Sequence, residues 1–231
     1  MKIQHIFFHL DNTLWDHRRN AYLTLKEIFN KEQVSDRYPL GFEEFHTEYF
    51  TINERLWEQI RDGEIDKDYL RKHRFYDSFL FFGIDDFELA QTFENNFLDE
   101  ILNHNDLVEG AFEILEYLSN KKYKLHILSN GFKEVTYKKC ELSGIKNYFQ
   151  TITSADEINI RKPHPEVYEY ALKKAGAKTE ESMMIGDDWI ADVEGGKACG
   201  LEVVFLDVFN DNFEADGVKT IKKLKELETL L

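Results

Sequence analysis

The hydrophobic positions of this chain are grouped in short runs near its beginning and throughout its second half. Runs rich in β-branched, aromatic or other apolar side chains predict buried strands at residues 3–8, 124–128, 151–153, 183–185 and 203–206. Helical patterns alternate with the later runs, at residues 133–143, 165–175, 190–199 and 218–230. This alternation predicts an α/β fold with a parallel sheet covered by helices, and ligand chemistry at the carboxyl ends of the strands.

A long helical segment separates the first predicted strand from the second. Helical patterns occur at residues 18–32, 42–61, 66–82 and 86–102, with breaks at Gly63 and Gly83. A crossover between neighbouring parallel strands needs far less chain than this. The sequence therefore predicts an all-helical domain at residues 16–105, inserted into a core made of residues 1–15 and 106–231. The next predicted helix, residues 111–119, belongs to the core.

Composition narrows the expected partners and location. The formal charge of −15 repels nucleic acid and anionic membranes. The lysines of residues 219–225 are interleaved with apolar positions, which predicts a solvated helix face there rather than a basic binding patch.

The sequence also indicates where the protein is located. We see neither an apolar run near the roughly 18 residues of a membrane span nor a signal-peptide pattern, so we expect a cytoplasmic protein, as a monomer or weak homodimer. Cys140 and Cys199 lie outside any CxxC spacing and are expected to be reduced thiols.

Polar side chains follow the first two predicted strands. His9 and Asp11 stand at positions i and i+2, so they point the same way from the strand end. Ser129, Asn130 and Gly131 follow the second strand and lead into a helix whose N-terminal N–H groups favour an anion. Each motif alone also fits a capped turn or a common strand exit.

The third and fourth predicted strands add a cation and a group of acids. Lys162 follows the third strand, within an Arg-Lys-Pro-His-Pro sequence. The fourth strand leads into Asp187, Asp188 and Asp192, which offer the oxygen ligands that Mg²⁺ requires. Because the four motifs follow one another at strand ends of one parallel sheet, we expect them to form one site.

In this order the four motifs resemble those of the haloacid dehalogenase (HAD) superfamily, and the insertion resembles its α-helical cap. The resemblance covers the whole chain and implies a Rossmann-like core with magnesium-assisted phosphoryl transfer. The chain also resembles the nucleotidase branch, which hydrolyses pyrimidine and other nucleoside 5′-monophosphates. The residues that carry this resemblance are Trp57, Gly63, Arg74, Phe75, the exit Ser129–Phe132 and the segment 162–166. A small phosphorylated metabolite is therefore the expected partner. Trp57, Arg74 and Phe132 are expected substrate contacts, with core packing as the alternative.

The resemblance also implies how the phosphoryl group is handled. In the family, the first carboxylate of an Asp-x-Asp motif attacks phosphorus, and the second protonates the leaving oxygen and then activates water. Asp11 matches the second carboxylate. Ser129, with Asn130 and Gly131, is expected to bind the transferring group, and Lys162 is expected to neutralise its oxygens.

His9 stands where the family has its nucleophile, which is also a metal ligand. The resemblance implies a Mg²⁺ site in which Asp187 and the backbone carbonyl of Asp11 bind directly, while Asp188 and Asp192 hold metal-bound waters. Imidazole is a poor ligand for Mg²⁺, and its ring does not place a nitrogen in line where a carboxylate oxygen had been. We expect a loss of activity on the order of 10⁴-fold or more.

Three explanations of His9 are open. The favoured one is an altered form of an ordinary magnesium-dependent phosphatase, because the other site residues are present. The second is a natural pseudoenzyme that still binds a phosphate or nucleotide, and the third is a phosphohistidine route. A 2-haloacid dehalogenase is a weaker alternative, because those relatives work without the metal for which Asp187 and Asp192 are placed.

Overall fold

The computed structural model describes residues 2–231 and divides the chain into two compact units. One unit contains the chain up to His17 and from Asn105 onwards, and the other is Arg18–His104. The divisions lie next to the boundaries predicted at residues 16 and 105.

The smaller unit is built from helices. Their bounds, including the one residue of the first helix that lies in the larger unit, are α1 His17–Lys31, α2 Val34–Arg37, α3 Phe42–Arg61, α4 Lys67–Phe81 and α5 Phe87–Glu100. Asp66 and Asp86 cap α4 and α5 by accepting backbone N–H groups in the first turns. The short α2 was not predicted.

Stacked and edge-on aromatic rings form the core of the helical unit. The rings of Phe45 and Phe79 lie 4.8 Å apart, as do those of Tyr49 and Phe75. Phe93 packs against Phe45, Phe75 and Phe79. Such pairs combine a large buried area with favourable ring electrostatics, so the many aromatic residues here serve packing.

The larger unit contains a sheet of six parallel strands in the order β3-β2-β1-β4-β5-β6. The strands are β1 His5–Phe8, β2 Lys124–Ser129, β3 Phe149–Ser154, β4 Ser182–Gly186, β5 Glu202–Leu206 and β6 Lys219–Ile221. Every residue of β1 and β4 is buried, as expected for central strands covered on both faces. The predicted α/β class with a parallel sheet is confirmed.

Helices connect and cover these strands. They are α6 Ala111–Asn120, α7 Lys133–Leu142, α8 Pro165–Ala175, α9 Gly195–Ala198 and α10 Leu227–Leu230. A π-helical segment, Trp189–Glu194, joins β4 to α9, where the sequence predicted one α-helix. One side of the sheet buries Val167 of α8 and Val193 of the π-helix against Met184 and Phe205.

The helix predicted for residues 218–230 is wrong. Residues Lys219–Ile221 form β6, and a 3₁₀ turn follows at Leu224–Glu226 before α10. Ile221 pairs with Leu206 of β5, so the segment satisfies backbone groups of that strand. The apolar spacing fits a helix locally, but pairing along β5 decides the structure.

Candidate active site

The polar motifs meet at the carboxyl ends of β1, β2 and β4. His9 follows β1, Ser129 is the last residue of β2, and Asp187 follows β4. Since β1 pairs with both β2 and β4 in parallel, these three strand ends are adjacent. The sheet therefore brings His9 together with two residues that lie more than a hundred positions later in the chain.

His9 points into the acids that follow β4. Its Nδ1 lies 2.8 Å from Oδ1 of Asp187 and 3.3 Å from Oδ2 of Asp192. The hydroxyl of Thr13 donates to the same oxygen of Asp187, over 2.6 Å. Burial and the nearby Lys162 lower the pKa of His9, but the carboxylates of Asp192 and Asp187 outweigh them and raise it to about 10.

Lys162 lies wholly inside the protein beside Asp192. Its ammonium group donates to Oδ1 of Asp192 and, over 3.1 Å, to the carbonyl of Leu128. Burial raises the pKa of Asp192, but Lys162 and then His9 lower it well below its usual range. Asn130 holds the Lys162 backbone by donating to its carbonyl and accepting from its N–H group. The side chain of Asn130 thus positions Lys162, a role that the sequence did not predict.

A second buried lysine holds Asp11. Nζ of Lys139, in α7, lies 2.5 Å from Oδ1 of Asp11 and 4.0 Å from the ring centre of Trp15. His17 approaches the same carboxylate to 3.9 Å. Burial raises the pKa of Asp11, but Lys139, followed by His17 and His9, lowers it to about 2. Sequence reasoning missed Lys139, because a lysine in a polar helix has the pattern of a solvated residue.

Gly131 allows the first two motifs to approach each other. Its N–H group donates to the buried hydroxyl oxygen of Ser129 over 3.0 Å. A Cβ added at Gly131 would lie 3.1 Å from both Ser129 Oγ and Thr136 Oγ1, and 3.5 Å from Asp11 Oδ2. A side chain here would crowd the space between Ser129 and Asp11.

Asp188 caps the segment that carries Asp192. Oδ1 of Asp188 accepts the Ala191 N–H group, and the N–H group of Asp188 donates to Oδ2 of Asp192 over 3.1 Å. Burial, with the charge of Asp192 second, raises the pKa of Asp188. A Cβ at Gly186 would come within 2.7 Å of Cβ of Asp192 and closer still to its carboxylate. The lack of a side chain at Gly186 therefore leaves room for the side chain of Asp192 at the end of β4.

Within residues 2–231, His9, Asp187 and Asp192 offer ligand atoms that all lie within 4.8 Å of one another. Such a group could hold a metal ion, but its donors are one imidazole nitrogen and two carboxylate oxygens. Mg²⁺ prefers oxygen ligands in an octahedral arrangement, whereas imidazole suits zinc and other transition metals. The residues as they stand are therefore a poor fit to Mg²⁺.

The three expected substrate contacts have different surroundings. Arg74 is buried in the helical unit, where its Nε lies 2.6 Å from Oε2 of Glu94. The structure thus places Arg74 in a buried ion pair, and the substrate contact expected from the sequence stays a prediction. Trp57 is half-buried in α3, and Phe132 is buried at the N-terminus of α7.

Residues 6–206 match the family model of the haloacid dehalogenase-like hydrolases. The chain is 27% identical over 230 residues to the putative HAD-hydrolase YfnB of Bacillus subtilis, covering 98% of this chain and 94% of that protein. It is also 27% identical to the pyrimidine 5′-nucleotidase YjjG of Escherichia coli, covering 100% and 99% of the two chains. Pyrimidine 5′-nucleotidase PynA of Streptococcus pneumoniae is 27% identical, with 87% and 82% covered.

Solved structures give the same assignment. The magnesium-bound crystal structure of YfnB from Bacillus subtilis superposes with a TM-score of 0.88 at 25% identity, covering 100% of this chain and 99% of that chain. The L-2-haloacid dehalogenase from Xanthobacter autotrophicus shares the fold, with a TM-score of 0.72, 18% identity, and 99% and 98% covered. No helix among the described residues is both long and apolar enough to span a membrane. From the family match over most of its length and this similarity of fold, the chain belongs to the haloacid dehalogenase-like hydrolases.

Proposed function

We propose that this chain has the scaffold of a phosphomonoester hydrolase for a nucleoside monophosphate or similar small phosphate, and that His9 disables its turnover. The observation that carries the proposal is the contact of His9 Nδ1 with Asp187, 2.8 Å long, at the end of the central strand. The motif resemblance implies that a phosphatase of this family has its attacking carboxylate at this position. The nucleotidases PynA and YjjG among its relatives support the substrate class.

The remaining motif residues suit phosphoryl transfer. The hydroxyl of Ser129, which accepts the Gly131 N–H group, would donate to a phosphate oxygen at the end of β2, where α7 also begins. Lys162 supplies the fixed positive charge that such a transition state requires. Asp11 would move the proton of the leaving oxygen.

Magnesium would enter this scheme only with an oxygen ligand at position 9. Asp187 and the backbone carbonyl of Asp11 would then bind it directly, and Asp188 and Asp192 would hold its waters. Bound there, Mg²⁺ would neutralise charge on the transferring phosphoryl group.

His9 is a poor substitute for the nucleophile for two reasons. Its Nδ1 is committed to Asp187 and Asp192, which fixes the ring against the acids. With a pKa raised to about 10, after the two carboxylates outweigh burial and Lys162, the ring is protonated at neutral pH. An imidazolium has no lone pair with which to attack phosphorus.

Phosphate release from a panel of nucleoside monophosphates and sugar phosphates, with Mg²⁺ present, tests the proposal. The native chain and His9→Asp are assayed in parallel, with His9→Asn as a control that removes the ring without adding a nucleophile. We expect turnover only from His9→Asp, exceeding the other two by on the order of 10⁴-fold. Absence of release from His9→Asp on every substrate would sink the proposal. Equal activity of the native chain would show that histidine accepts the phosphoryl group.

One observation favours a second candidate, a catalytically silent phosphate-binding protein. Lys139 holds Asp11 as a carboxylate, which accepts protons but has none to give to a leaving oxygen. This candidate predicts that calorimetry detects nucleotide binding while His9→Asp still fails to turn over. Both candidates take a small phosphorylated metabolite and are consistent with a cytoplasmic monomer or weak homodimer.

A further inference from the structure

The carboxylates that would receive a divalent cation are already engaged by protein donors. Oδ1 of Asp187 accepts the Thr13 hydroxyl and contacts the His9 ring. Oδ1 of Asp192 accepts a hydrogen bond from the ammonium group of Lys162. The second oxygen, Oδ2, accepts the backbone N–H group of Asp188 over 3.1 Å and lies 3.3 Å from His9 Nδ1. A metal ion would have to compete with these donors.

The balance of charge points the same way. A carboxylate at position 9 would join Asp187 and Asp192 to make three negative charges against the single positive charge of Lys162. That surplus of two is what a divalent cation neutralises. With His9 in place of that carboxylate, the surplus falls from two negative charges to one, and an imidazole nitrogen lies 2.8 Å from Asp187 and 3.3 Å from Asp192. The electrostatic demand for Mg²⁺ is therefore weaker in this cluster.

Neighbouring groups leave this balance nearly unchanged. Asp11 is paired with Lys139, so that pair adds no net charge. Asp188 caps the helical segment after β4, where the free N–H groups favour a negative side chain. The group that contacts Asp187 and Asp192 together is thus the imidazole ring.

We infer that the His9 ring takes the place of the divalent cation, so that this site holds its carboxylates together without magnesium. The inference rests on the proposed function only in taking the cluster as the metal position of the family's phosphatases. The imidazole nitrogen lies 2.8 Å from Asp187 and 3.3 Å from Asp192, two of the acids that would otherwise serve the metal.

Calorimetric titration with MgCl₂ tests the inference on the full-length chain, without substrate. The native protein, His9→Asp and His9→Asn are compared, with folding of each checked by circular dichroism. We expect Mg²⁺ to bind His9→Asp at least tenfold more tightly than the native protein. Equal binding by the native protein and His9→Asp overturns the inference, and so does failure of a folded His9→Asp to bind.

Titration with MnCl₂ and ZnCl₂ separates a cation substitute from a metal ligand. If His9 replaces the cation, neither metal binds the native protein more tightly than it binds His9→Asn. Tight binding by the native protein that is lost in His9→Asn overturns the inference, because it makes His9 a ligand. Phosphate release decides the proposed function separately: a His9→Asp protein that binds Mg²⁺ but releases no phosphate supports this inference and rejects that function.

Discussion

Nδ1 of His9 lies 2.8 Å from Oδ1 of Asp187, joining the end of the first strand of the sheet to the end of the fourth. The contact turns the imidazole nitrogen towards the acids that follow β4. The residue at position 9 therefore affects both the group at the end of the central strand and the charge of the acidic cluster.

Removing the imidazole should destabilise the protein when metal is absent. His9→Asp in EDTA places a third carboxylate beside Asp187 and Asp192, and we expect a loss of about 3 kcal/mol in the free energy of unfolding, by the cost of breaking a buried pair. The neutral His9→Asn should lose less. Urea unfolding measures both, and saturating Mg²⁺ should return part of the loss for His9→Asp. A His9→Asp protein as stable as the native one in EDTA contradicts this.

Lys162 should be required for the stability of the fold as well as for binding of the phosphoryl group. Lys162→Met leaves Asp192 with one cationic partner, and we expect it to lower the free energy of unfolding by about 3 kcal/mol or more. The double variant Lys162→Met with Asp192→Asn should recover part of this, because the unpaired charge is then gone. Denaturant titration of the single and double variants checks the order. Equal losses in the two would show that the pair is not coupled.

Gly186 should tolerate no side chain. In Gly186→Ala the new Cβ displaces Asp192 from its contacts with Lys162 and His9, and we expect a loss of about 2 to 3 kcal/mol, the range for overpacking. Gly41→Ala is the matched control, since its Cβ meets only Oε2 of Glu44, at 3.3 Å on the exposed start of α3. Thermal unfolding compares them. Equal effects of the two alanines would contradict the close approach of β4 to Asp192.

Arg74 should behave as a packing residue. Arg74→Met leaves Glu94 buried with Arg71 as its remaining partner, so we expect about 3 kcal/mol of destabilisation and a smaller effect when Glu94→Gln is added. In a His9→Asp background, KM should change little. A raised KM with unchanged unfolding would instead identify Arg74 as the substrate contact expected from the sequence.

Two stacked histidines should make stability fall in mild acid. His5 Nδ1 lies 3.0 Å from His126 Nε2, with the rings 5.2 Å apart, and both are buried. Burial first, then His5 and Lys124, lowers the pKa of His126 to about 3. Below about pH 6.5 the unfolded chain binds a proton at this histidine, whereas the folded chain does not. The free energy of unfolding is therefore highest above about pH 6.5 and falls by up to about 1.4 kcal/mol per pH unit as the pH drops towards the folded pKa.

His126→Gln is the test of that pH dependence. The variant removes the titrating ring, so its urea midpoint should change less than that of the native protein between pH 7 and pH 5. Parallel curves for the two proteins would show that the histidine pair does not carry the effect.

Local sequence patterns predicted the elements whose own apolar spacing matches the surface that they bury in the fold. The four long helices of the inserted unit and the central strands are of this kind, since their apolar spacing matches the surface they bury. The C-terminal strand is the counterexample. Its residues have helical spacing, but backbone pairing with β5 makes a strand more stable there.

The sequence by itself determined the order of motifs along a parallel sheet, and hence the family and the approximate place of the site. It also placed histidine where an attacking carboxylate is expected. Only the tertiary structure decided what His9 and Lys139 contact, because those partners lie far away in the chain and meet through the packing of β1, β4 and α7. The electrostatic interactions at this site depend on distances of a few ångströms between side chains, and the spacing of residues along the sequence does not give those distances.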